Sequence, residues 1–168
     1  MAYTRTDSPN QAVRKLADRV PLAVVTDGIG GAYAIDQNTG EEAWCPAVTV
    51  EVTDATGAGD VFASGLVLGC LAGWPLEQRL KFASLTASLA VQQFGGSLAA
   101  PGWGDISDWW RHLRRRVTAG DLKAAHISRE YGFLDDLIPR HQVHSVRRAE
   151  ATFATYSDLR TKTPRSPA

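Results

Sequence analysis

A glycine-rich loop between a β-branched run and a long apolar run is the feature that most limits how this chain can fold. The loop reads Asp54-Ala-Thr-Gly-Ala-Gly-Asp60, it follows the strand-like residues 48–52, and it precedes a helix-like run at 60–72. Glycine lets backbone N–H groups approach a ligand, and a helix N-terminus adds free N–H groups with a partial positive charge. The order strand, glycine loop, helix therefore predicts an anion site in an α/β fold.

The loop's residues suit phosphate chemistry. Gly57, Ala58 and Gly59 can surround a phosphate whose charge grows during transfer. Asp60 would repel that phosphate unless its carboxylate has another role, such as accepting a proton from an attacking hydroxyl. The loop lacks the Lys-Ser/Thr ending of a P-loop and the spacing of a dinucleotide fingerprint. A plain glycine turn with Asp60 as a helix cap remains the alternative.

Apolar periodicity and breaker residues predict the other elements of the chain. Before the loop we expect a helix that starts at Ser8-Pro9 and stops at Pro21, a buried parallel strand at 22–26, a turn at 27–31, and a hairpin of 32–35 with 42–45. After the loop we expect helices at 60–72 and 75–94, a third capped by Asp105, a fourth starting at Asp121 and a last one at 142–159.

Composition indicates an ordinary soluble protein. The chain has 168 residues, 44% hydrophobic and 21% charged, with no apolar run long enough for a membrane helix and a polar N-terminus unlike a secretory leader. Its two cysteines, Cys45 and Cys70, cannot form a disulfide framework, so we expect buried, reduced thiols in a cytoplasmic protein. Residues 101–168 carry 12 basic and 8 acidic side chains. We interpret this as a solvated helix face rather than a nucleic-acid patch.

Several motifs together resemble the ribokinase-like (PfkB-type) carbohydrate kinases. Asp54-Ala-Thr-Gly-Ala-Gly-Asp-Val-Phe62 is similar to the family's second signature, Asp-Thr-x-Gly-Ala-Gly-Asp-x-Phe, with Ala55 in place of threonine. Residues 24–32 resemble its nucleotide-loop strand, with Asp27 where an apolar residue or lysine is usual. Residues 82–84 and 95–97 stand at the family's spacing. The resemblance covers about residues 12–110 and implies the C-terminal, nucleotide-binding part of a three-layer α/β sandwich.

The resemblance assigns roles by position. Asp60 would be the general base that takes the proton from a sugar hydroxyl, and Gly57, Ala58 and Gly59 would form the anion hole. The remaining assignments place the nucleotide phosphates and ribose beside Thr26, Gly28 and Gly31, with Gly59 also contacting phosphate and Ser84 near the adenine.

The resemblance also implies cofactors: ATP with Mg²⁺ on its phosphates, and in several members a monovalent cation such as K⁺. The positions that match such a cation site are the side chains of Asp54 and Thr56 and the carbonyls of Val91, Phe94 and Gly96.

The family's substrate-binding N-terminal half is not recognisable in the chain. We therefore expect a fragment, a truncated product or half of a split enzyme, with a kinase portion at 1–110, a helical extension at 111–160 and a disordered tail at 161–168. The expected partners are a nucleotide, a sugar or nucleoside only when the other half is supplied, no nucleic acid or membrane, and a second copy of the chain. Alone, it should be a poor enzyme. A non-catalytic nucleotide-binding module and a helical adaptor are the competing hypotheses.

Overall fold

A computed structural model describes residues 4–140 and residue 143. The elements, in chain order, are α1 (Pro9–Ala17), β1 (Leu22–Thr26), β2 (Ala32–Asp36), β3 (Glu41–Cys45), α2 (Ala58–Leu71), α3 (Leu76–Ala90), α4 (Trp103–Thr118), α5 (Leu122–Glu130) and α6 (Leu134–Leu137). The predicted α/β class is confirmed. Apart from residue 143, the last predicted helix, at 142–159, and the tail at 161–168 lie outside the described residues.

The three strands form one antiparallel sheet in the order β1-β2-β3. Thr26 pairs with Ala32, and Ala32 pairs in turn with Cys45. The hairpin prediction is confirmed, but the prediction of a parallel strand at 22–26 is wrong. Only a short turn joins β1 to β2, and such a connection can only produce antiparallel neighbours.

The apolar run of β1 is explained by cover on both faces of the sheet. Ala23 packs with Val13 and Ala17 of α1. Leu22 and Val24 pack on the other face, against a cluster that α2 and α3 supply. A strand covered on both faces is apolar at successive positions whatever its direction. The layers are α1, the sheet, and the α2–α3 pair.

The predicted strand at 48–52 is not formed. Residues 46–52 are irregular, and no described strand pairs with them. β-Branched residues favour an extended backbone, but a strand also needs a neighbour to pair with. The segment instead passes beside α3, where Val48 packs against the cluster around Phe82.

Two helix boundaries differ from the predictions for visible reasons. α3 ends at Ala90 rather than at 94, because the Val91 carbonyl accepts the N–H groups of Thr53 and Asp54, at 2.7 and 3.0 Å. Asp105 is not the N-cap of α4. The helix begins at Trp103, and the Asp105 carboxylate accepts the Gly102 N–H at 2.8 Å from the third helical position.

The predicted helix starts at Ser8-Pro9 and Asp121 are confirmed, and both Ser8 and Asp121 are N-caps. Ser8 Oγ accepts the N–H of Gln11 at 3.3 Å and Asp121 Oδ1 accepts that of Ala124 at 3.0 Å. α2 begins at Ala58, two residues before its predicted start, and one face is open to solvent: Val67, Leu68 and Leu71 are 54%, 41% and 83% exposed.

The C-terminal helices share a core with α3. Phe82 and Leu85 of α3 are buried with a group from α4, α5 and the segment after it: Ile106, Trp110, Leu113, Ala124, Tyr131 and Leu134. Helix α4 runs continuously through residue 110. In the described part of the chain, the residues before and after 110 are therefore packed together.

An ion-pair cluster adds to this contact. The Lys81 ammonium lies 2.5 Å from Glu130 Oε2 of α5 and 2.6 Å from Glu77 Oε1. Burial opposes the charge of Lys81, but hydrogen bonds to Glu130 and Glu77 outweigh it and raise its pKa. The same bond from Lys81 lowers the pKa of Glu130. The cluster ties α5 to α3.

Both thiols are free, in line with the sequence prediction. Cys45 is buried, and burial raises its pKa to about 11. Cys70 is partly buried rather than buried. No helix among the described residues is long and apolar enough to cross a bilayer.

Candidate active site

The glycine loop has a backbone shape that only glycine accepts easily. Gly57 is the N-cap of α2 with φ +74°, in the left-handed region. A Cβ built there would lie 2.5 Å from Ser97 N and 2.7 Å from Ser97 Oγ. Gly57 is therefore needed both for its backbone conformation and for the close approach of the segment after α3.

The loop exposes unpaired N–H groups at the start of α2. Ala58 N–H is bonded to the Ala55 carbonyl at 3.2 Å, and Val61 N–H to that of Gly57 at 3.0 Å. Between them, the N–H groups of Gly59 and Asp60 have no acceptor in the described part of the chain. Gly59 and Asp60 are exposed. This is the arrangement that binds an anion at a helix N-terminus.

Asp60 lies in the first turn of α2, and its carboxylate has a partner that the sequence did not reveal. Ser97 Oγ donates to Asp60 Oδ2 at 3.2 Å, across 37 positions of the chain. Ser64 Oγ donates to the backbone carbonyl of Asp60 at 2.8 Å. In the sequence, residues 95–97 are recognisable only by their spacing from the glycine loop, and that spacing does not predict a contact with Asp60.

Asp54 fastens the start of the loop. Its Oδ1 accepts the Thr56 N–H at 2.9 Å. Hydrogen bonds from the Thr56 side chain and backbone, with smaller contributions from the N–H groups of Gly95 and Gly96, lower the pKa of Asp54. Asp54 is thus held within the loop by Thr56, while Asp60 is held by Ser97 from the segment that follows α3.

A mostly apolar cleft of about 490 Å³ adjoins the loop. Its walls come from the turn after β1, the irregular segment, the glycine loop and the end of α3. They consist of Gly28, Ile29, Ala47, Val48, Thr49, Val50, Val52, Ala55, Ala58, Ala87, Ser88 and Val91. The volume and apolar lining are those of a small-molecule pocket. The cleft brings the two predicted nucleotide loops to one place.

The predicted nucleotide residues occupy different positions. Gly28 (φ +53°) lines the cleft, and Thr26 is exposed at the end of β1. Gly31 is buried, and a Cβ on it would lie 2.1 Å from the Cys45 carbonyl oxygen, so its role visible here is packing. Ser84 is 5% exposed, and its Oγ donates to the Pro46 carbonyl at 3.4 Å.

One helical turn beyond Ser84, Ser88 lines the cleft. Of the two serines of α3, the structure therefore brings Ser88 and not Ser84 to the cleft. The sequence pattern could not separate them, because both stand on the buried side of the same helix.

The predicted monovalent-cation residues fit such an ion only in part. The carboxylate of Asp54 and the backbone of Thr56 lie close to Gly96, whose Cβ would be 3.6 Å from the Thr56 carbonyl oxygen. The Val91 carbonyl already accepts two N–H groups, so both of its lone pairs are used. Among the described residues, no three His, Cys, Asp or Glu side chains are grouped to hold a metal ion.

Comparison with known proteins identifies this site's relatives. The sequence model of the pfkB family carbohydrate kinases matches residues 3–102. A 5-dehydro-2-deoxygluconokinase of Bacillus velezensis is 35% identical over 98 residues, which are 58% of this chain and 29% of that protein. An acarbose 7(IV)-phosphotransferase of Actinoplanes sp. is 38% identical over 82 residues, 46% of this chain and 27% of that one.

A solved structure gives the same answer for the fold. The ribokinase of Arabidopsis thaliana, complexed with ribose and ATP, superposes with a TM-score of 0.55 and 26% identity over 61% of this chain and 34% of that one. The chain therefore spans between about a quarter and a third of the length of each of these proteins.

Proposed function

Because the chain belongs to the pfkB family of carbohydrate kinases, we propose that it carries the nucleotide site and catalytic base of an ATP-dependent phosphotransferase acting on a sugar or nucleoside hydroxyl. One observation supports this above the others. The free N–H groups of Gly59 and Asp60 and the Asp60 carboxylate stand together at the start of α2, beside the 490 Å³ cleft.

The cleft would hold the nucleotide. Its apolar walls suit the faces of a purine, and Ser88 offers a hydroxyl to the base or ribose. Gly28 would let the backbone approach the ribose and phosphates. Mg²⁺ would enter on the ATP phosphates, since no described cluster of side chains holds a metal by itself, and there it would neutralise phosphate charge.

The transfer step would use the loop and Asp60. The Asp60 carboxylate accepts the proton of the acceptor hydroxyl while that oxygen bonds to the γ-phosphorus and the bond to the β–γ bridging oxygen breaks. The N–H groups of Gly59 and Asp60 and the dipole of α2 stabilise the negative charge that develops. No step requires a monovalent cation. The Val91 carbonyl, which already accepts two N–H groups, would not be a ligand of such an ion.

A non-catalytic nucleotide-binding module is the second candidate. The observation that favours it is the matched length, which is only 27–34% of each relative. A base without a positioned acceptor loses a proximity contribution of up to about 7–11 kcal/mol. We therefore expect the 168-residue chain to bind ATP but to transfer phosphate slowly.

The test is Asp60→Asn, in the chain itself and in a chimera that places its matched residues in the Bacillus velezensis enzyme. Asparagine keeps the size and can still cap a helix. We expect turnover to fall at least about 10²-fold, with ATP affinity changed by no more than several-fold. Ser64→Ala, outside the anion loop, is the control.

Calorimetry with a non-hydrolysable ATP analogue and transfer of labelled phosphate to 5-dehydro-2-deoxygluconate, acarbose and ribose provide the two measurements. Unchanged turnover in Asp60→Asn would reduce Asp60 to a helix cap. If both polypeptides bind nucleotide and neither transfers phosphate, the non-catalytic module is favoured.

A further inference from the structure

Two separate segments meet at the Asp60 carboxylate. After α3 the chain turns through Gly95 (φ +125°) and Gly96 (φ +56°) into a short 3₁₀ turn, Gly96–Ala99. This places Ser97 against Gly57, where only the absence of a Cβ leaves room for Ser97 N and Oγ. The position of Ser97 is therefore set by backbone packing on the glycine loop.

From this position Ser97 engages one oxygen of Asp60. Its Oγ donates to Oδ2 at 3.2 Å, while Oδ1 accepts no hydrogen bond from any described residue. Asp60 also forms no ion pair in the described part of the chain. Ser97 is thus the side chain that selects among the orientations of an otherwise exposed carboxylate.

We propose that Ser97 is the positioning residue of the catalytic base: its hydroxyl holds Asp60 Oδ2 so that Oδ1 faces the acceptor hydroxyl. This inference rests on the proposed function. An exposed aspartate samples several χ1 rotamers, and a base acts only from the rotamer that reaches its proton. A fixed donor on one oxygen raises the population of that rotamer.

The proton balance assigns Ser97 no chemical step. The acceptor's proton moves to Asp60 Oδ1, the acceptor oxygen bonds to the γ-phosphorus, and the β–γ bridging oxygen leaves with ADP. Ser97 keeps its own proton throughout, donating it to Oδ2 before and after transfer. Removing its hydroxyl should therefore slow transfer without removing the base.

A purely structural role of the Ser97 hydroxyl would predict that Ser97→Ala disturbs the fold of the loop. Ser97 is exposed, and its backbone N and its Oγ both lie against the side of Gly57 that lacks a Cβ. Ser97→Ala keeps the backbone contact and loses the hydroxyl with its bond to Asp60. We therefore expect the Ser97→Ala loop to keep its fold and its nucleotide affinity.

Nuclear magnetic resonance on the full chain tests the positioning directly. Three-bond couplings that report χ1 of Asp60 should show one rotamer in the unsubstituted chain, averaging in Ser97→Ala, and one rotamer again in Ser97→Thr, which keeps a hydroxyl. Ser64→Ala removes the hydroxyl bonded to the Asp60 carbonyl and should leave the couplings unchanged. Unaveraged couplings in Ser97→Ala would overturn the inference.

Kinetics in the transfer assay supply the second readout. Ser97→Ala should lower kcat about tenfold, the effect of losing one hydrogen bond to a charged group, with KM for ATP within about twofold, and Ser97→Thr should restore most of it. Unchanged kcat in Ser97→Ala beside a large loss in Asp60→Asn would overturn the positioning role while leaving the base assignment intact. Unchanged kcat in Asp60→Asn would instead remove the base assignment and this inference with it.

Discussion

At the scale of single residues, the two glycines of the loop differ in what the fold requires of them. Gly57 has φ +74° and contacts the backbone of Ser97, so the folded chain needs a glycine there. Gly59 has no atom within 4 Å of an added Cβ, so the surrounding protein leaves its side open. The fold therefore requires a glycine at position 57 but not at position 59, where the proposed anion site would be the reason for one.

This difference predicts opposite outcomes for one substitution. Gly57→Ala should destabilise the chain by at least about 1–2 kcal/mol from its left-handed backbone alone, and should abolish ATP binding. Gly59→Ala should be as stable as the unsubstituted chain or more stable by about 0.5–1 kcal/mol, yet bind ATP at least about tenfold more weakly. Urea unfolding and calorimetry measure both. Equal ATP affinity in Gly59→Ala would place the phosphate elsewhere.

The sequence predicts the backbone part of this site better than its side-chain part. The position of Gly57 and Asp60 at a helix start follows from the strand, loop and helix pattern. Two side-chain features do not follow from that pattern: the hydrogen bond from Ser97 to Asp60, and the position of Ser88 rather than Ser84 in the cleft wall. Both depend on how α3 and the turn after it pack. Contacts between residues distant in sequence leave no local pattern to read.

At the scale of elements, the sequence predicts the strands, turns and helix caps that depend on residues close together in the chain. β1 and the β2–β3 hairpin lie where turn residues and apolar runs put them, and Ser8 and Asp121 cap helices as expected. The errors involve partners: β1 is antiparallel, residues 48–52 pair with no described strand, and α3 stops where its carbonyl at Val91 bonds the loop. Strand pairing depends on which segments lie next to each other in the fold, and the β-propensity of a segment does not specify its neighbours.

The ion pair between α3 and α5 makes a pH prediction. The lowered pKa of Glu130 means that its bond to Lys81 stabilises the fold above the carboxyl's ordinary pKa, and that this contribution is lost as pH falls through the lowered value. Because Glu130 is 44% exposed, Glu130→Gln should cost at most about 0.5 kcal/mol at pH 7.

Below the lowered pKa of Glu130 the cost of Glu130→Gln should vanish, because the native carboxyl is then protonated as well. Urea denaturation of both proteins across pH 3–7 measures this. A cost that stays constant down to the acid limit would show that shape rather than charge determines the Glu130 contact. Lys81 retains Glu77 as a partner in the variant.

At the scale of the whole molecule, the described C-terminal helices are part of the same packed unit as the kinase-like portion. The cluster that unites them contains Phe82 and Leu85 from α3 together with Leu113 from α4. A core shared in this way should unfold as one unit rather than helix by helix.

Leu113→Ala tests that cooperativity. Leu113 is 4% exposed, and its truncation should cost about 2–5 kcal/mol. Circular dichroism and tryptophan fluorescence should shift to the same lower urea midpoint. His112→Ala, an exposed neighbour on α4, should stay within about 0.5 kcal/mol of the unsubstituted chain. Two separate transitions in Leu113→Ala would instead show that α4–α6 unfold independently.

Because no neighbouring atom blocks a side chain at Gly59, this position should tolerate substitution in evolution more readily than Gly57. A glycine inside the first turn of a helix is a stability cost that any other small residue would relieve, and the space around Gly59 would admit one. Selection for folding alone would therefore replace Gly59 and retain Gly57. Under the proposed function, a descendant that stopped binding phosphate should lose Gly59 before Gly57, so the two positions together would indicate whether a lineage still uses its loop.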